Sequence, residues 1–258
     1  MGIKYRPFAS VLFALSFVLC GAARGETKAT LSLRGRDQSL HLYGPRAGAP
    51  VVVSSGDGGW THLGPDVAEF LGGQGFFVVG FDCKRYLSSF TDGEATLAPS
   101  DVPRDYKALV DYARGGRPAP VLLVGVSEGA GLSVLAAADP GLQPSLLGVL
   151  GLGLPDVNEL GWRFSDSAIY FTHKTPNEPT FKAGDYVAKL GTVPLFAIHA
   201  RHDEFVPVAD VQRLMSLPGD GPRKLVVLEA ADHRFSDKQP ELQKAIQDAY
   251  AWMKGGPR

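Results

Sequence analysis

Unbroken apolar runs alternate with stretches of helical periodicity from about residue 30 to the end of the chain. Two short segments near the start alternate apolar and polar residues, which predicts an antiparallel pair of strands at 29–35 and 38–44. Six more continuous apolar runs follow, at 51–54, 76–81, 121–126, 146–154, 193–200 and 224–230. Such runs are typical of strands that are buried on both faces, as in a parallel sheet covered by helices.

Helical stretches separate these runs, at 65–71, 101–113, 128–138, 208–217 and 239–253. The alternation predicts an α/β fold with a mostly parallel sheet and helices on both faces. We interpret residues 27–258 as one domain that carries a short cap insertion at about 155–192. Functional side chains of such folds gather at the carboxyl ends of the strands, so the residues that follow each apolar run are the candidates.

The run 121–126 leads into Gly125-Val126-Ser127-Glu128-Gly129, a G-x-S-x-G motif. The motif places its serine in a tight turn, where a side chain at either glycine position would collide with neighbouring backbone. A glycine-rich turn that only packs a helix on a strand is the alternative. The strand before the motif and the small-residue helix after it favour Ser127 as a nucleophile.

A serine hydroxyl needs a base, and the base needs a group that orients it. Asp203 comes just after the run 193–200, and His233 just after 224–230. The order Ser127, Asp203, His233 is that of α/β-hydrolases. We therefore predict His233 as the general base and Asp203 as its orienting acid. Glu204 is the second candidate for the acid, and Asp232 is badly placed because it adjoins the histidine.

The loop after the first parallel strand reads SSGDGGW at 54–60. No lysine or hydroxyl follows its glycines as a phosphate-binding loop would require, so we predict an oxyanion hole. The donors would be the N–H of Gly56 or Asp57 and the N–H of Glu128. The Asp57 carboxylate either holds the loop in an Asx turn or, with Glu128, indicates a positively charged substrate.

The remaining histidines and the second cysteine of the sequence are given structural roles. His199, His202 and Asp203 form an H-x-x-H-D pattern, but no partner cluster of metal ligands occurs elsewhere, so no metal and no cofactor is predicted. We interpret Cys83 as a small buried residue. The other histidines are interpreted as surface or packing residues: His41, His62 and His173.

The first residues are typical of a signal peptide. Lys4 and Arg6 precede the apolar run 8–19, and small residues at 21–23 offer a cleavage site. We therefore predict a signal peptide over 1–23 and a periplasmic protein. A lipoprotein anchored at Cys20 is disfavoured because a bulky residue precedes that cysteine. A net charge of −1 without a block of basic residues excludes nucleic acid as an expected partner.

Three segments resemble the bacterial AcvB/VirJ proteins: SSGDGGW at 54–60, VVGFDCKRYLSSFT at 78–91 and GVSEGAG at 125–131. The resemblance covers about residues 50–135 and implies an exported α/β-hydrolase, in a family with some members described as lysyl-phosphatidylglycerol hydrolases. It implies the catalytic roles of Ser127, Asp203 and His233. Within the matching segments, Asp57, Trp60 and Tyr86 are predicted to bind the substrate.

The chain also departs from the family pattern. Glu128 stands where the family usually has an aromatic residue, Gly131 where it has an acid, and Leu87-Ser88 where it has an aromatic pair. Hydrolysis of an ester by a serine mechanism is the expected function, with an aminoacylated phospholipid such as lysyl-phosphatidylglycerol as the expected substrate. A general periplasmic carboxylesterase is the alternative within the enzymes, and a non-catalytic VirJ-like binding protein for secreted proteins is the alternative outside them.

Several aromatic residues occur in the predicted cap, where they are interpreted either as a wall for an acyl chain or as ordinary packing on the sheet. They are Trp162, Phe164, Tyr170, Phe171, Phe181 and Tyr186.

Overall fold

The computed structural model describes residues 25–168 and 178–256. The predicted signal peptide over 1–23 lies outside these residues, as do Tyr170, Phe171 and His173. Eight strands form one sheet: β1 (Thr27–Leu33), β2 (Arg36–Tyr43), β3 (Pro50–Ser54), β4 (Phe77–Phe81), β5 (Val121–Val126), β6 (Leu146–Leu152), β9 (Leu195–Ala200) and β10 (Arg223–Leu228). A separate antiparallel pair consists of β7 (Val157–Glu159) and β8 (Thr180–Lys182).

Helices fill the connections between the strands of the sheet: α1 (Leu63–Gly73), α2 (Cys83–Ser89), α3 (Asp101–Arg114), α4 (Glu128–Ala137), α5 (Gly184–Val187), α6 (Val208–Met215) and α7 (Gln239–Lys254). Short 3₁₀ turns occur at Gln143–Ser145 and Phe164–Ala168. The five predicted helices are all present, with ends that differ by a few residues.

The strand order in the sheet is β1-β2-β4-β3-β5-β6-β9-β10. The first two strands form an antiparallel hairpin, β2 pairs antiparallel with β4, and the other pairings are parallel. The predicted α/β fold with a mostly parallel sheet is therefore confirmed. Because β3, β5, β6, β9 and β10 are consecutive neighbours, their carboxyl ends form one continuous edge above which a site can be built.

The apolar side chains of each central strand alternate between two cores, one on each face of the sheet. Val52 and Leu123 pack with α3 and α4 on one face. Val51 and Leu122 pack with α1 and α7 on the other. This alternation is why the strands read as unbroken apolar runs, and it confirms helices on both faces.

Helices α2 and α5 and the strand pair β7–β8 were not expected from the pattern. Helix α2 is only seven residues long, and the Asp82 carboxylate caps it by accepting the Arg85 N–H at 3.0 Å. The pair β7–β8 lies in the predicted cap, where strands of three residues are too short to show a periodicity.

The cap aromatics mostly serve packing. Phe181 is buried in the core with α3 and α4, and Trp162 and Tyr186 pack partly buried against that core. Phe164 differs, with 85% of its surface exposed. None of the helices in 25–168 and 178–256 has the length and apolar composition needed to span a bilayer.

Candidate active site

Ser127 occupies the tight turn between β5 and α4 in a strained backbone conformation, with φ 50° and ψ −119°. A Cβ at Gly125 would lie 2.3 Å from the Gly129 carbonyl oxygen, and a Cβ at Gly129 would lie 2.4 Å from the Ser54 and Ser55 carbonyl oxygens. Both glycines are therefore required for β5, the turn and α4 to pack this closely. The turn presents a half-exposed Ser127 above the carboxyl edge of the sheet.

The His233 ring is hydrogen-bonded to Asp203, with 2.6 Å between Nδ1 and Oδ2. The second carboxylate oxygen of Asp203 accepts the backbone N–H groups of Phe205 at 2.9 Å and Val206 at 2.8 Å. The Asp203 side chain is fully buried, whereas 11% of the His233 side chain is exposed. The structure thus brings together the predicted acid and base in the arrangement that orients an imidazole.

Glu204 makes a different contact with the same histidine. Its carboxylate accepts the backbone N–H of His233 at 2.8 Å and does not bond to the ring. Asp232 binds the N–H groups of Arg234 and Ser236 at 3.0 Å each. Of the three acids considered from the sequence, Asp203 is the one that holds the imidazole.

The electrostatics of Asp203 favour its ionised form. Burial alone would raise the pKa of this carboxyl, but the hydrogen bonds from His233, Val206 and Phe205 outweigh it and lower the pKa below its ordinary value. His199 contacts the same turn: its Nε2 lies 2.9 Å from the Val206 carbonyl oxygen and 3.7 Å from the Asp203 carboxylate. Because burial lowers the pKa of His199, it braces this turn as a neutral ring.

Gly153, directly after β6, leaves the space that the His233 ring fills. A Cβ at this position would lie 2.5 Å from Cε1 of His233, and the glycine has φ +61°. Its N–H donates to the Ile198 carbonyl at 3.0 Å, so the backbone cannot easily retreat. Gly153 therefore helps to set the position of the base.

The loop 55–59 lies beside Ser127, as the predicted oxyanion loop must. A Cβ at Gly56 would be 3.3 Å from Cβ of Ser127. The Gly59 N–H donates to the Gly56 carbonyl at 3.0 Å, which closes the loop as a turn. The N–H groups of Gly56 and Asp57 donate to no acceptor among the described residues, and Glu128 N–H is the first of a helix and lacks an intrahelical partner. All three predicted donors are therefore available at one place.

The Asp57 carboxylate accepts no hydrogen bond from the part of the chain that the structure describes, so the Asx-turn interpretation is wrong. It lines a cavity of about 430 Å³ together with Ser127 and His233. Other residues of the cavity wall are Gly56, Gly58, Gly59, Thr61, His62, Leu63, Val126, Glu128, Pro155, Asp156, Val157, Glu159, Glu204, Phe205, Val206, Pro207, Asp210, Arg213 and Arg234.

Glu128 is turned into the protein. Its Oε1 accepts the backbone N–H of Glu159 at 2.7 Å, which ties α4 to β7. Burial, followed by the nearby carboxylates of Glu159 and Asp57, raises the pKa of Glu128 well above its ordinary value. A neutral carboxyl there removes the conflict between this acid and an oxyanion bound by its own N–H.

Two predicted substrate contacts are wrong. Tyr86 has no exposed surface, and its hydroxyl donates to Asp105 at 2.8 Å inside the core. Trp60 stacks on His41 with ring centroids 4.6 Å apart, fills the space above Gly80, and does not line the cavity. Both belong to segments that carry the family resemblance, and both make packing contacts within the protein.

The structure also shows where Cys83 and His62 lie. Cys83 is fully buried, as predicted, and its N–H donates to Ser55 Oγ at 3.1 Å. His62 is exposed, as expected for a surface residue, and it lies at the cavity wall with φ 53°. Within 25–168 and 178–256, no group of three or more side chains is arranged to hold a metal ion.

Glu159 and Gly153 are site residues that the sequence did not reveal. Glu159 belongs to a three-residue strand without a motif. Gly153 lies in GLGLP, where glycine alternates with leucine and nothing marks one glycine as special. The usable signal for Gly153 was its place directly after a buried strand, next in the sheet to the strand that carries Ser127.

Comparison with solved structures establishes the fold. Est1E from Butyrivibrio proteoclasticus superimposes with a TM-score of 0.64 at 16% identity, over 88% of this chain and 99% of that chain. An esterase from Pyrococcus furiosus gives 0.63 at 17%, over 90% and 92%. A membrane phospholipase A, described as a novel bacterial virulence factor, gives 0.63 at 13%, over 89% and 87%.

Sequence comparison matches a smaller part of the chain than the structural comparison does. No curated protein matches the chain. Residues 49–146 match the family model of the bacterial virulence protein VirJ, and this segment contains both the oxyanion loop and the serine turn. The resemblance seen in the three segments is thereby confirmed. The chain therefore has an α/β-hydrolase fold in which residues 49–146 match the VirJ family model.

Proposed function

We propose that the protein is a serine hydrolase that cleaves ester bonds. The observation that carries this proposal is the 2.6 Å hydrogen bond between the buried Asp203 and the ring of His233, which lines the same cavity as Ser127 at its strained turn. A residue with strain at a cavity wall, next to an oriented imidazole, is the arrangement that nucleophilic acyl transfer needs. The solved esterases of the same fold support it.

The proposed reaction has two halves. Ser127 Oγ attacks the ester carbonyl while His233 Nε2 takes its proton, and the N–H groups of Gly56 or Asp57 and of Glu128 bind the carbonyl oxygen as it becomes an anion. His233 then gives the proton to the departing alcohol, which leaves an acyl-Ser127 ester. Water, deprotonated by His233, attacks this ester; the bond to Ser127 Oγ then breaks, His233 returns the proton to Oγ, and the acid is released. Asp203 stabilises the imidazolium in both halves and keeps its own charge.

Labelling with a fluorophosphonate probe tests the mechanism without a choice of substrate. We expect the purified protein to be labelled once per chain and Ser127→Ala to abolish labelling. Ser216→Ala is the control, because its hydroxyl donates to the Arg213 carbonyl on an exposed helix end and is not part of the cavity. Labelling that persists in a folded Ser127→Ala protein would contradict the mechanism and favour the non-catalytic binding role.

For the substrate, we propose an aminoacylated phospholipid, with lysyl-phosphatidylglycerol first. The Asp57 carboxylate lies free on the cavity wall close to the nucleophile, where it can meet a cationic group, and an aminoacyl ester carries its α-ammonium next to the scissile carbonyl. The VirJ-family segment supports this choice, as does the phospholipase of the same fold. Such an ester is also activated, so no unusual catalytic power is required.

Three substrates separate the alternatives: lysyl-phosphatidylglycerol, alanyl-phosphatidylglycerol and a neutral p-nitrophenyl ester. We expect release of the amino acid from both lipids, and Asp57→Asn to lower kcat/KM on the lipids more than on the neutral ester. Equal loss on all three would reduce Asp57 to a loop-shaping residue. Turnover of the neutral ester alone would favour a general carboxylesterase.

Export to the periplasm is part of the same proposal and rests on the residues at 1–23. Mass spectrometry of the protein from the periplasmic fraction would show a new amino terminus at or close to Arg24 if the segment is removed. Recovery of the full-length chain in the cytoplasmic fraction would contradict export.

A further inference from the structure

Glu159 is a buried carboxylate at the active-site cavity with no protein partner among the described residues. The residue is 7% exposed and lines the cavity with Ser127. Its carboxylate forms neither a hydrogen bond nor an ion pair with any residue in 25–168 or 178–256, whereas buried acids are almost always paired. A carboxylate in this position is explained if a group that enters the cavity supplies its partner.

The backbone holds Glu159 firmly in place. Its N–H donates to Glu128 Oε1 at 2.7 Å, at the first turn of the helix that follows the nucleophile. On the other side, Glu159 is paired with Thr180 in the antiparallel pair β7–β8. The backbone of Glu159 is therefore held on an ordered element at the cavity that Ser127 lines, as the backbone of a substrate contact should be.

The surroundings of Glu159 are acidic. Burial and then the neighbouring carboxylates of Asp57, Asp166 and Glu178 raise the pKa of Glu159 to about 8. Arg163 is bonded to Glu178, and Arg213 on the cavity wall is bonded to Asp210. Arg234 also lines the cavity. The Glu128 carboxyl is used by the Glu159 N–H. A cation would relieve the repulsion among these acids, whereas an anion would add to it.

We propose that Glu159 is a specificity-determining residue that binds a cationic group of the substrate, with Asp57 as the second carboxylate of this subsite. The inference rests on the proposed ester hydrolysis and deepens it. Glu159 takes the role that the sequence suggested for Glu128, because the Glu128 carboxyl faces β7. No sequence motif indicates Glu159. An ammonium N–H donates to the carboxylate in a charge-assisted hydrogen bond, and Glu159 loses its proton to solvent as the cation binds.

Matched esters test the proposal by hydrolysis. Lysine ethyl ester carries two ammonium groups, and its Nα,Nε-diacetyl derivative carries none. We expect Glu159→Gln, which keeps the shape of the side chain, to lower kcat/KM on lysine ethyl ester by about tenfold or more, as expected when a buried charged partner is lost. Hydrolysis of the diacetyl ester should stay within about twofold of wild type.

Asp210→Asn is the control, because it removes an acid from the same cavity wall that is already bonded to Arg213 at 2.7 Å. We expect it to preserve the preference for the cationic ester. Equal losses on both esters in Glu159→Gln would overturn the proposal and leave the hydrolase mechanism intact.

Binding to the inactive protein keeps the test independent of catalysis. In a Ser127→Ala background, calorimetry with lysine ethyl ester at pH 7 in two buffers of different ionisation enthalpy measures affinity and proton release together. We expect release of nearly one proton per ester bound, and loss of both this release and about tenfold in affinity on adding Glu159→Gln. Unchanged affinity and proton release would refute the role of Glu159, even if the enzyme hydrolyses neither ester and the proposed function fails.

Discussion

Gly153→Ala should inactivate the protein by displacing the general base while the fold is kept. A Cβ at this position would lie 2.5 Å from Cε1 of His233, and ordinary contacts begin at 3.4 Å, so the ring has to move by roughly 1 Å. Such a shift breaks the 2.6 Å hydrogen bond to Asp203 and moves Nε2 relative to Ser127. A misplacement of about 1 Å can cost on the order of 100-fold in rate.

Gly153→Ala also introduces backbone strain, and the effect of this strain has to be separated from that of the displaced His233 ring. Gly153 has φ +61°, where an alanine costs about 1–2 kcal/mol. Gly115→Ala is the matched control, because Gly115 has φ +55° and nothing within 4 Å of an added Cβ. It ends helix α3, which leads back to the opposite edge of the sheet. Both variants should lose about 1–2 kcal/mol of stability through backbone strain, measured by urea unfolding, and Gly153→Ala should lose more because it also breaks the His233–Asp203 hydrogen bond.

Only Gly153→Ala should also lose activity. We expect kcat/KM on a p-nitrophenyl ester, and the rate of fluorophosphonate labelling, to fall about 100-fold relative to Gly115→Ala. The downfield proton resonance of the His233–Asp203 hydrogen bond should be present in the control and lost in Gly153→Ala. If the two variants retain equal activity, the His233 position does not depend on the space above Gly153, and our account of the base is refuted.

Two further predictions concern the acids of the site. Asp203→Asn should lower kcat by about 10³–10⁴-fold, since the two backbone N–H groups keep the amide oxygen and turn the NH₂ group towards His233, which fixes the wrong tautomer. Glu204→Gln should cost less than about tenfold, because an amide oxygen still accepts the His233 N–H; the reverse order in steady-state assays would reassign the acid. For stability, the Glu159 pKa of about 8 lies above the ordinary 4.5, so the folded protein keeps a proton that the unfolded chain loses. This stabilisation is complete below about pH 4.5 and is lost as the pH rises to 8, with a ceiling of about 5 kcal/mol. Urea unfolding between pH 5 and 8 should therefore show wild type losing about 1–3 kcal/mol more than Glu159→Gln, and parallel curves would contradict the raised pKa.

The fold could be read from the sequence because its strands are buried on both faces. A run such as VLLVGV at 121–126 has no polar side to offer, so it identifies a central parallel strand directly. The serine turn could also be predicted from the sequence. Its two glycines are required by contacts with backbone only a few residues away or in the neighbouring strand. Asp203 and His233 could be proposed because parallel strands bring all their carboxyl ends to one edge.

The details of the site depended on contacts between distant segments. Which acid holds the imidazole is decided by the paths of two loops 30 residues apart in the chain, and the sequence left Asp203 and Glu204 as neighbours with the same chemistry. Trp60 and Tyr86 shared the family segments with Asp57, yet only Asp57 reaches the cavity. Local sequence does not record which side of a loop faces the core.

Glu159 shows the same limit most clearly. Its strand is too short for a periodicity, and its importance comes from burial beside acids that belong to other elements of the fold. The sequence by itself determined the eight-stranded sheet, the five longer helices and the glycine-flanked turn at Ser127, because these follow from patterns among neighbouring residues. The tertiary structure alone decided which charges share the cavity, because electrostatic neighbours are set by distance in space and not by separation along the chain.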